Sequence, residues 1–197
     1  MHSPRDTHLQ AVKRILRYLK GTLDFGICFY ANLSPTLSCF VDVDWTGCPD
    51  TRRSTMGHCV FLSSHLICWS AKKQLTVALS STESEYKALT HASADFLWIS
   101  YVLRDIGFPT SLPCTLYSDN MGATQLAHNP VFHARTKHVE LSYNFIRELV
   151  SNGFLQVSFV RSTNQLADLF TKGLSSATFC FFHDKLLWHP PHQLAGA

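Results

Sequence analysis

The stretch LSCFVDVD, residues 37–44, sets Leu37, Cys39, Val41 and Val43 against Ser38, Phe40, Asp42 and Asp44 in strict alternation. Period two is the signature of a β-strand, and it places both aspartates on one face. Two neighbouring carboxylates on one strand face are an unusual use of a sheet position. Forward of this stretch, TGCPDTRRST (46–55) is rich in turn formers and leads into two further β-like runs, 57–62 and 66–70. The three together read as an antiparallel meander, the start of a sheet.

Next, LSSTESEYKALTHASADFLWISYVLRDIGFP (79–109) predicts a long helix, opened by a capping box of Ser80 with Glu83 and stopped by Gly107 and Pro109. Its apolar stripe runs Leu89, Ala92, Phe96, Ile99, Leu103, Ile106, and one step of four residues back from Leu89 reaches Glu85, not Glu83. Glu85 is therefore expected to face inward, where a carboxylate needs a partner or a metal.

The remainder reads strand, helix, helix, strand, helix. A short strand at 115–118 ends at Asp119, and NMGATQLAHNP (120–130) is a short helix stopped by Pro130. Residues 136–150 carry the stripe Val139, Tyr143, Ile146, Val150, with Gly153 where a C′ glycine belongs. Leu155, Val157 and Phe159 alternate as a strand, and Ser162 with Gln165 reads as the capping box of a helix reaching Gly173, with Asp168 in its early turns. A partly apolar helix and a tail follow. On the N-terminal side, LQAVKRILRYLK (9–20) puts Leu9, Val12, Leu16 and Leu19 on one stripe and Lys13, Arg17 and Lys20 on another, the pattern of a surface helix with a basic face.

Composition bounds the class. A chain of 197 residues, 46% hydrophobic and 16% charged, with mean hydropathy +0.01, is neither disordered nor collagen-like and can bury the core of one α/β domain. No run of residues is apolar enough for a membrane span, and the first residues lack a secretory h-region, so the expectation is an intracellular protein, cytoplasmic or nuclear, and not secreted. Seven cysteines (Cys28, Cys39, Cys48, Cys59, Cys68, Cys114, Cys180) with no CxxC read as reduced core residues. No Cys/His set has zinc-finger spacing, and His183, His189 and His192 read as part of a tail. A net charge of +3 is too small to name a polyanionic partner by itself.

Four acids stand where packing does not demand them: Asp42 on the first strand, Glu85 at a helix start, Asp119 at a strand end and Asp168 opening the last helix. If the strands share one sheet, these positions converge near one end of it. An all-oxygen set suits hard cations, and two Mg²⁺ ions about 3.5–4 Å apart would support in-line phosphoryl displacement, the chemistry of a nuclease. Each acid also has an ordinary reading: Asp42 or Asp44 as a solvated strand residue, Glu85 and Asp168 as complements to helix dipoles, Asp119 as a helix cap.

Four long motifs carry a family resemblance. FVDVDWTGCPDTRRSTMGHCVFL, ICWSAKKQLTVALSSTESEYKAL, LYSDNMGATQLAHNPVFHARTKHVELSYNFIRELV and NQLADLFTKGL resemble, in order, the ribonuclease H region of the Pol polyprotein of copia-type LTR retrotransposons, from about Thr7 to Leu187. HLQAVKRILRYLKGTLDFGICF is similar to that family's connection from reverse transcriptase to ribonuclease H, and the polymerase active site has no counterpart here, so the resemblance implies a fragment or truncated copy. It implies three parts: 1–31 as the remnant of the reverse transcriptase connection, 32–174 as the ribonuclease H domain, and 175–197 as a C-terminal helix and tail. The implied fold is RNase H-like, a mixed five-stranded sheet with three antiparallel strands first, flanked by helices.

The implied activity is endonucleolytic hydrolysis of the RNA strand of RNA/DNA hybrids during reverse transcription. Asp42, Glu85, Asp119 and Asp168 would be the catalytic, metal-binding quartet for two Mg²⁺ ions, with Mn²⁺ as the alternative, and Asp44 a flanking residue. Arg52, Arg53, Lys72, Lys73, Ser81, Thr82, Asn120, Arg135 and Lys137 are the candidates for holding the hybrid. The implied partners are the hybrid and the reverse transcriptase domain of the parent polyprotein, with no membrane. The competing expectation is a catalytically inactive or co-opted fragment that binds nucleic acid without cutting. One departure stands out: cellular and retroviral enzymes of the superfamily carry a loop histidine before the last helix, and here, as in copia-type relatives, it is missing, the loop being RSTN (161–164). His133 and His138 are candidates for its role, and a surface position at a helix start is the plainer expectation for both.

Overall fold

The computed structural model describes residues 3–23, 26, 27, 29, 34–128 and 137–188, except the side chains of 137–140 and 187–188. His133 and Arg135 lie outside the described residues, as do the side chains of Lys137 and His138.

Strands β1 (Thr36–Asp44), β2 (Thr55–Leu62) and β3 (His65–Lys73) form the expected antiparallel meander, and β4 (Ser111–Ser118) and β5 (Leu155–Phe159) add to its other side in parallel. The sheet order is β3-β2-β1-β4-β5, so β1 is central. Both faces are covered. Leu37, Cys39, Val41 and Val43 point into one core with α2 (Ser81–Asp105), α3 (Met121–His128) and α4 (Lys137–Ser151). Phe40, Cys59, Phe61 and Tyr117 point into a second core closed by α5 (Asp168–Thr171) and α6 (Ser176–Trp188), to which Phe182 and Leu186 contribute. This double cover explains why β1 is buried along nearly all its length although its sequence alternates.

Helix ends follow their sequence signals. Ser80 Oγ accepts from Glu83 N, while the Glu83 carboxylate reaches back to Leu79 N, one residue beyond the capping-box position. Gly107 (φ +84°) and Gly153 (φ +69°) turn the chain out of α2 and α4 through the left-handed region, which glycine alone enters without a Cβ penalty.

Two expectations need correction. The helix predicted from Ser162 to Gly173 is a 3₁₀ turn (Ser162–Asn164) followed by the four-residue α5, so Asp168 is the first residue of α5. Gln165 is not a capping residue: it is fully buried, and its Nε2 donates to Val41 O on β1 at 2.9 Å. The described cysteines divide: Cys39, Cys59 and Cys114 are buried as expected, whereas Cys48 and Cys68 are half-buried and Cys180 is exposed, and Cys28 lies outside the described residues. Helix α1 (Asp6–Gly21) has the expected amphipathic pattern, and none of its residues is buried.

Candidate metal centre

The parallel pairing of β1 with β4 brings their carboxyl ends to the same edge of the sheet, the edge where open α/β sheets hold their sites. Phe40 pairs with Tyr117, so Asp42, two residues on, lies level with Asp119 just past the end of β4. Helix α2 starts at this edge and delivers Glu85 from its first turns. One carboxylate oxygen each from Asp42, Glu85 and Asp119 lie within 4.8 Å of one another, the sole grouping of this kind among the described residues.

The surroundings of each acid differ. Asp42 is 1% exposed; one oxygen accepts from Thr171 Oγ1 and the other faces Lys172 Nζ at 3.2 Å. Glu85 is buried with Oε2 lacking any hydrogen-bond partner among the described residues. Burial, then the charges of Asp42 and Asp119, push its carboxyl up to about 9. Asp119 is half-buried and accepts from Ser162 Oγ at 2.7 Å. Asp168 is buried, and burial holds its carboxyl above the usual range against the pull of Lys172, which lies 2.7 Å away. Burial alone would lower the Lys172 ammonium, and the carboxylates of Asp168 and Asp42 more than reverse that, raising it.

Three carboxylates this close, one of them buried with an oxygen that has no donor among the described residues, form an arrangement that ordinary packing avoids. A hard divalent cation fits it: the donors are all oxygens, and the buried Glu85 Oε2 lacks the partner that such an ion would be.

The ordinary reading of Asp119 as a helix cap does not hold, because Asn120 takes that role, its Oδ1 accepting from Ala123 N at 2.9 Å. Asp44 lies outside the cluster, its carboxylate filling the space over Gly47, where any Cβ would come within 1.7 Å of Asp44 Oδ2. Among the proposed phosphate contacts, Arg52 and Arg53 are exposed in the β1–β2 turn. Lys72 and Lys73 are exposed at the end of β3, lining a cavity of about 400 Å³ with Lys87 and His91, and Lys73 Nζ also donates to Cys48 Sγ at 3.1 Å. Ser81 and Thr82 open α2, and Thr82 Oγ1 and Asn120 Oδ1 converge on Gly122, each 3.2 Å from where its Cβ would stand. Sequence reading missed Thr171, Lys172 and Ser162. The spacing of four between Asp168 and Lys172 was the available signal for their ion pair, whereas nothing local pairs Ser162 with Asp119 across 43 residues.

No family model matches the chain. Among solved structures, LC11-RNase H1, isolated from compost, superposes with TM-score 0.53 at 13% identity over 70% of this chain and 93% of its own. The same enzyme in complex with an RNA/DNA hybrid gives 0.51 at 10% identity over 69% and 94%. Fold and sheet order thus define an RNase H-like α/β domain. Sequence relatives narrow the class. The chain is 46% identical over 186 residues to the retrovirus-related Pol polyprotein from transposon RE2 of Arabidopsis thaliana, covering 94% of this chain and 13% of that protein. It is 37% identical over 172 residues to the Pol polyprotein from transposon TNT 1-94 of Nicotiana tabacum, covering 87% and 13%. The chain is a domain closely related to the Pol polyproteins of copia-type LTR retrotransposons, and it spans 13% of the length of these relatives.

Proposed function

We propose that the chain is a metal-dependent endonuclease that hydrolyses the RNA strand of RNA/DNA hybrids during retrotransposon reverse transcription. The observation that carries this reading is the meeting of one carboxylate oxygen each from Asp42, Glu85 and Asp119, delivered by β1, the start of α2 and the end of β4, with Glu85 Oε2 buried and without a hydrogen-bond partner among the described residues. With Asp168 they form the proposed ligand quartet. Two Mg²⁺ ions held there would supply an activated water and neutralise charge on the leaving oxygen. Ser162 fixes the Asp119 carboxylate and Thr171 that of Asp42, so neither has to be oriented when substrate arrives. Glu85 must release its proton to become a ligand, so metal uptake releases protons.

Arg52, Arg53, Lys72 and Lys73 would hold phosphates without reading sequence, and Ser81, Thr82 and Asn120 would contact the hybrid backbone beside the acids. Selection of the RNA strand requires a contact to the 2′-hydroxyl. The hybrid bound to LC11-RNase H1 supports the choice of substrate by likeness of fold. We assign 32–174 as the ribonuclease H domain, 1–31 as the connection to a reverse transcriptase domain that would be its partner in a polyprotein, and 175–197 as a C-terminal helix and tail.

The test is cleavage of an end-labelled RNA strand annealed to DNA, with Mg²⁺, Mn²⁺ or EDTA, by the wild-type chain and by Asp119→Asn. Metal-dependent cutting is expected, abolished in the variant while hybrid binding persists. Cutting retained by Asp119→Asn overturns the quartet, and hybrid binding without cutting by the wild type supports the co-opted, non-cleaving alternative.

A further inference from the structure

Lys172 joins two members of the quartet: its Nζ lies 2.7 Å from Asp168 Oδ1 and 3.2 Å from Asp42 Oδ1. The second Asp42 oxygen accepts from Thr171 Oγ1, so two consecutive residues engage both oxygens of that carboxylate. Asp168 stands outside the group whose ligand atoms lie within 4.8 Å of one another. The four acids thus divide into an end open to a cation, at Asp42, Glu85 and Asp119, and an end, at Asp42 and Asp168, already bridged by an ammonium.

We propose that Lys172 is an internal counter-cation that closes the Asp42–Asp168 end of the site to a divalent ion, so that the two ends load in order. This rests on the reading of the acids as a metal site. A Mg²⁺ ion bound to both carboxylates would stand about 2.0–2.1 Å from each oxygen, in the space the ammonium occupies, and the two cations exclude each other. Until then Lys172 relieves the repulsion between two buried carboxylates. Its side chain is 36% exposed and its stem flexible, so Nζ has solvent to swing into when the second ion arrives. A first ion would be held by Asp42, Glu85 and Asp119, and of these three Lys172 pairs only with Asp42, so the end at Glu85 and Asp119 needs no such displacement.

The test measures Mn²⁺ binding to the full chain without nucleic acid, by calorimetry and by electron paramagnetic resonance, for wild type, Lys172→Met and Lys172→Arg. The wild type is expected to bind one ion and then a second more weakly. Lys172→Met should tighten the second by about tenfold, the scale of removing one competing positive charge from a half-exposed site, with a smaller change in the first. Lys172→Arg should keep the weak second step. On the wild type alone, the side-chain ¹⁵N ammonium resonance of Lys172 should shift during the second step of a Mg²⁺ titration and not the first. A second step unchanged or weaker in Lys172→Met, or an ammonium resonance unmoved at saturating Mg²⁺, overturns the proposal and leaves the metal site standing. Absence of ion binding in every form overturns both.

Discussion

Glu85 owes its place to a choice between two nearby glutamates that the sequence resolves. The helical stripe through Leu89 selects Glu85 over Glu83, and the structure buries Glu85 while Glu83 caps α2 and pairs with Lys87 at 2.7 Å. The alternation of β1 puts Asp42 and Asp44 on one face alike, and the choice of Asp42 comes from the family resemblance. Ser162 was not legible, because its role depends on which carboxylate the folded chain brings beside it, and of Lys172 only the pairing with Asp168 four residues before it could be read locally. Burial raises the Glu85 carboxyl from 4.5 to about 9, so the folded chain holds this proton more tightly than the unfolded chain does. Stability from this group is complete below 4.5 and is lost as pH rises towards 9, because the unfolded chain ionises throughout that window while the folded chain does not. In EDTA, the melting temperature of the wild type should therefore fall from pH 5 to pH 8.5, and Glu85→Gln should flatten that fall. Equal slopes in the two proteins would place the pH dependence elsewhere.

Helix α5 is short, and its position depends on the residue opposite Asp42. Asp42 pairs with Gly57 on β2, and Gly57 with Ala71 on β3, so small residues line the sheet where α5 lies against it. A Cβ at Gly57 would meet Thr171 Cγ2 at 2.8 Å and Phe170 Cβ at 2.9 Å. Gly57→Ala should lift α5 from the sheet, costing about 1–3 kcal/mol on the overpacking scale and moving Asp168, Thr171 and Lys172 together. Denaturant unfolding measures the loss, and a variant as stable as wild type would show that α5 adjusts freely. The strands and long helices were legible because periodicity reports burial over many residues. The 161–173 segment misled because its path is set by one long-range bond, Gln165 to Val41, which no local pattern announces. Helix α1 poses the opposite case: its amphipathic pattern is plain, yet Leu16 is 59% exposed and Leu19 51%. Leu16→Glu should change stability by no more than about 0.5 kcal/mol, as exposed substitutions do. A larger drop in melting temperature would show that this face is covered in solution.

Across the whole molecule the charge is only +3, and what matters is its arrangement along the edge that holds the acids. Asp44 pairs with Thr55, and Thr55 pairs with Lys73, so the end of β3 lies two strand spacings, about 10 Å, from the end of β1. The β1–β2 turn with Arg52 and Arg53 leaves from the same edge. Basic side chains thus border the acidic cluster, where a nucleic acid presenting one phosphate to the acids would bring its neighbours against them. Arg104 makes the comparison: it is exposed near the far end of α2, roughly 30 Å along the helix from Glu85. For a non-cleaved hybrid, Arg53→Gln and Lys72→Gln should each weaken binding uniformly across sequences and reduce the slope of log affinity against log salt by about one. Arg104→Gln should leave that slope unchanged. Equal loss from all three would mean that the hybrid responds to a diffuse positive field, and the edge beside the acids would lose its standing as the binding surface.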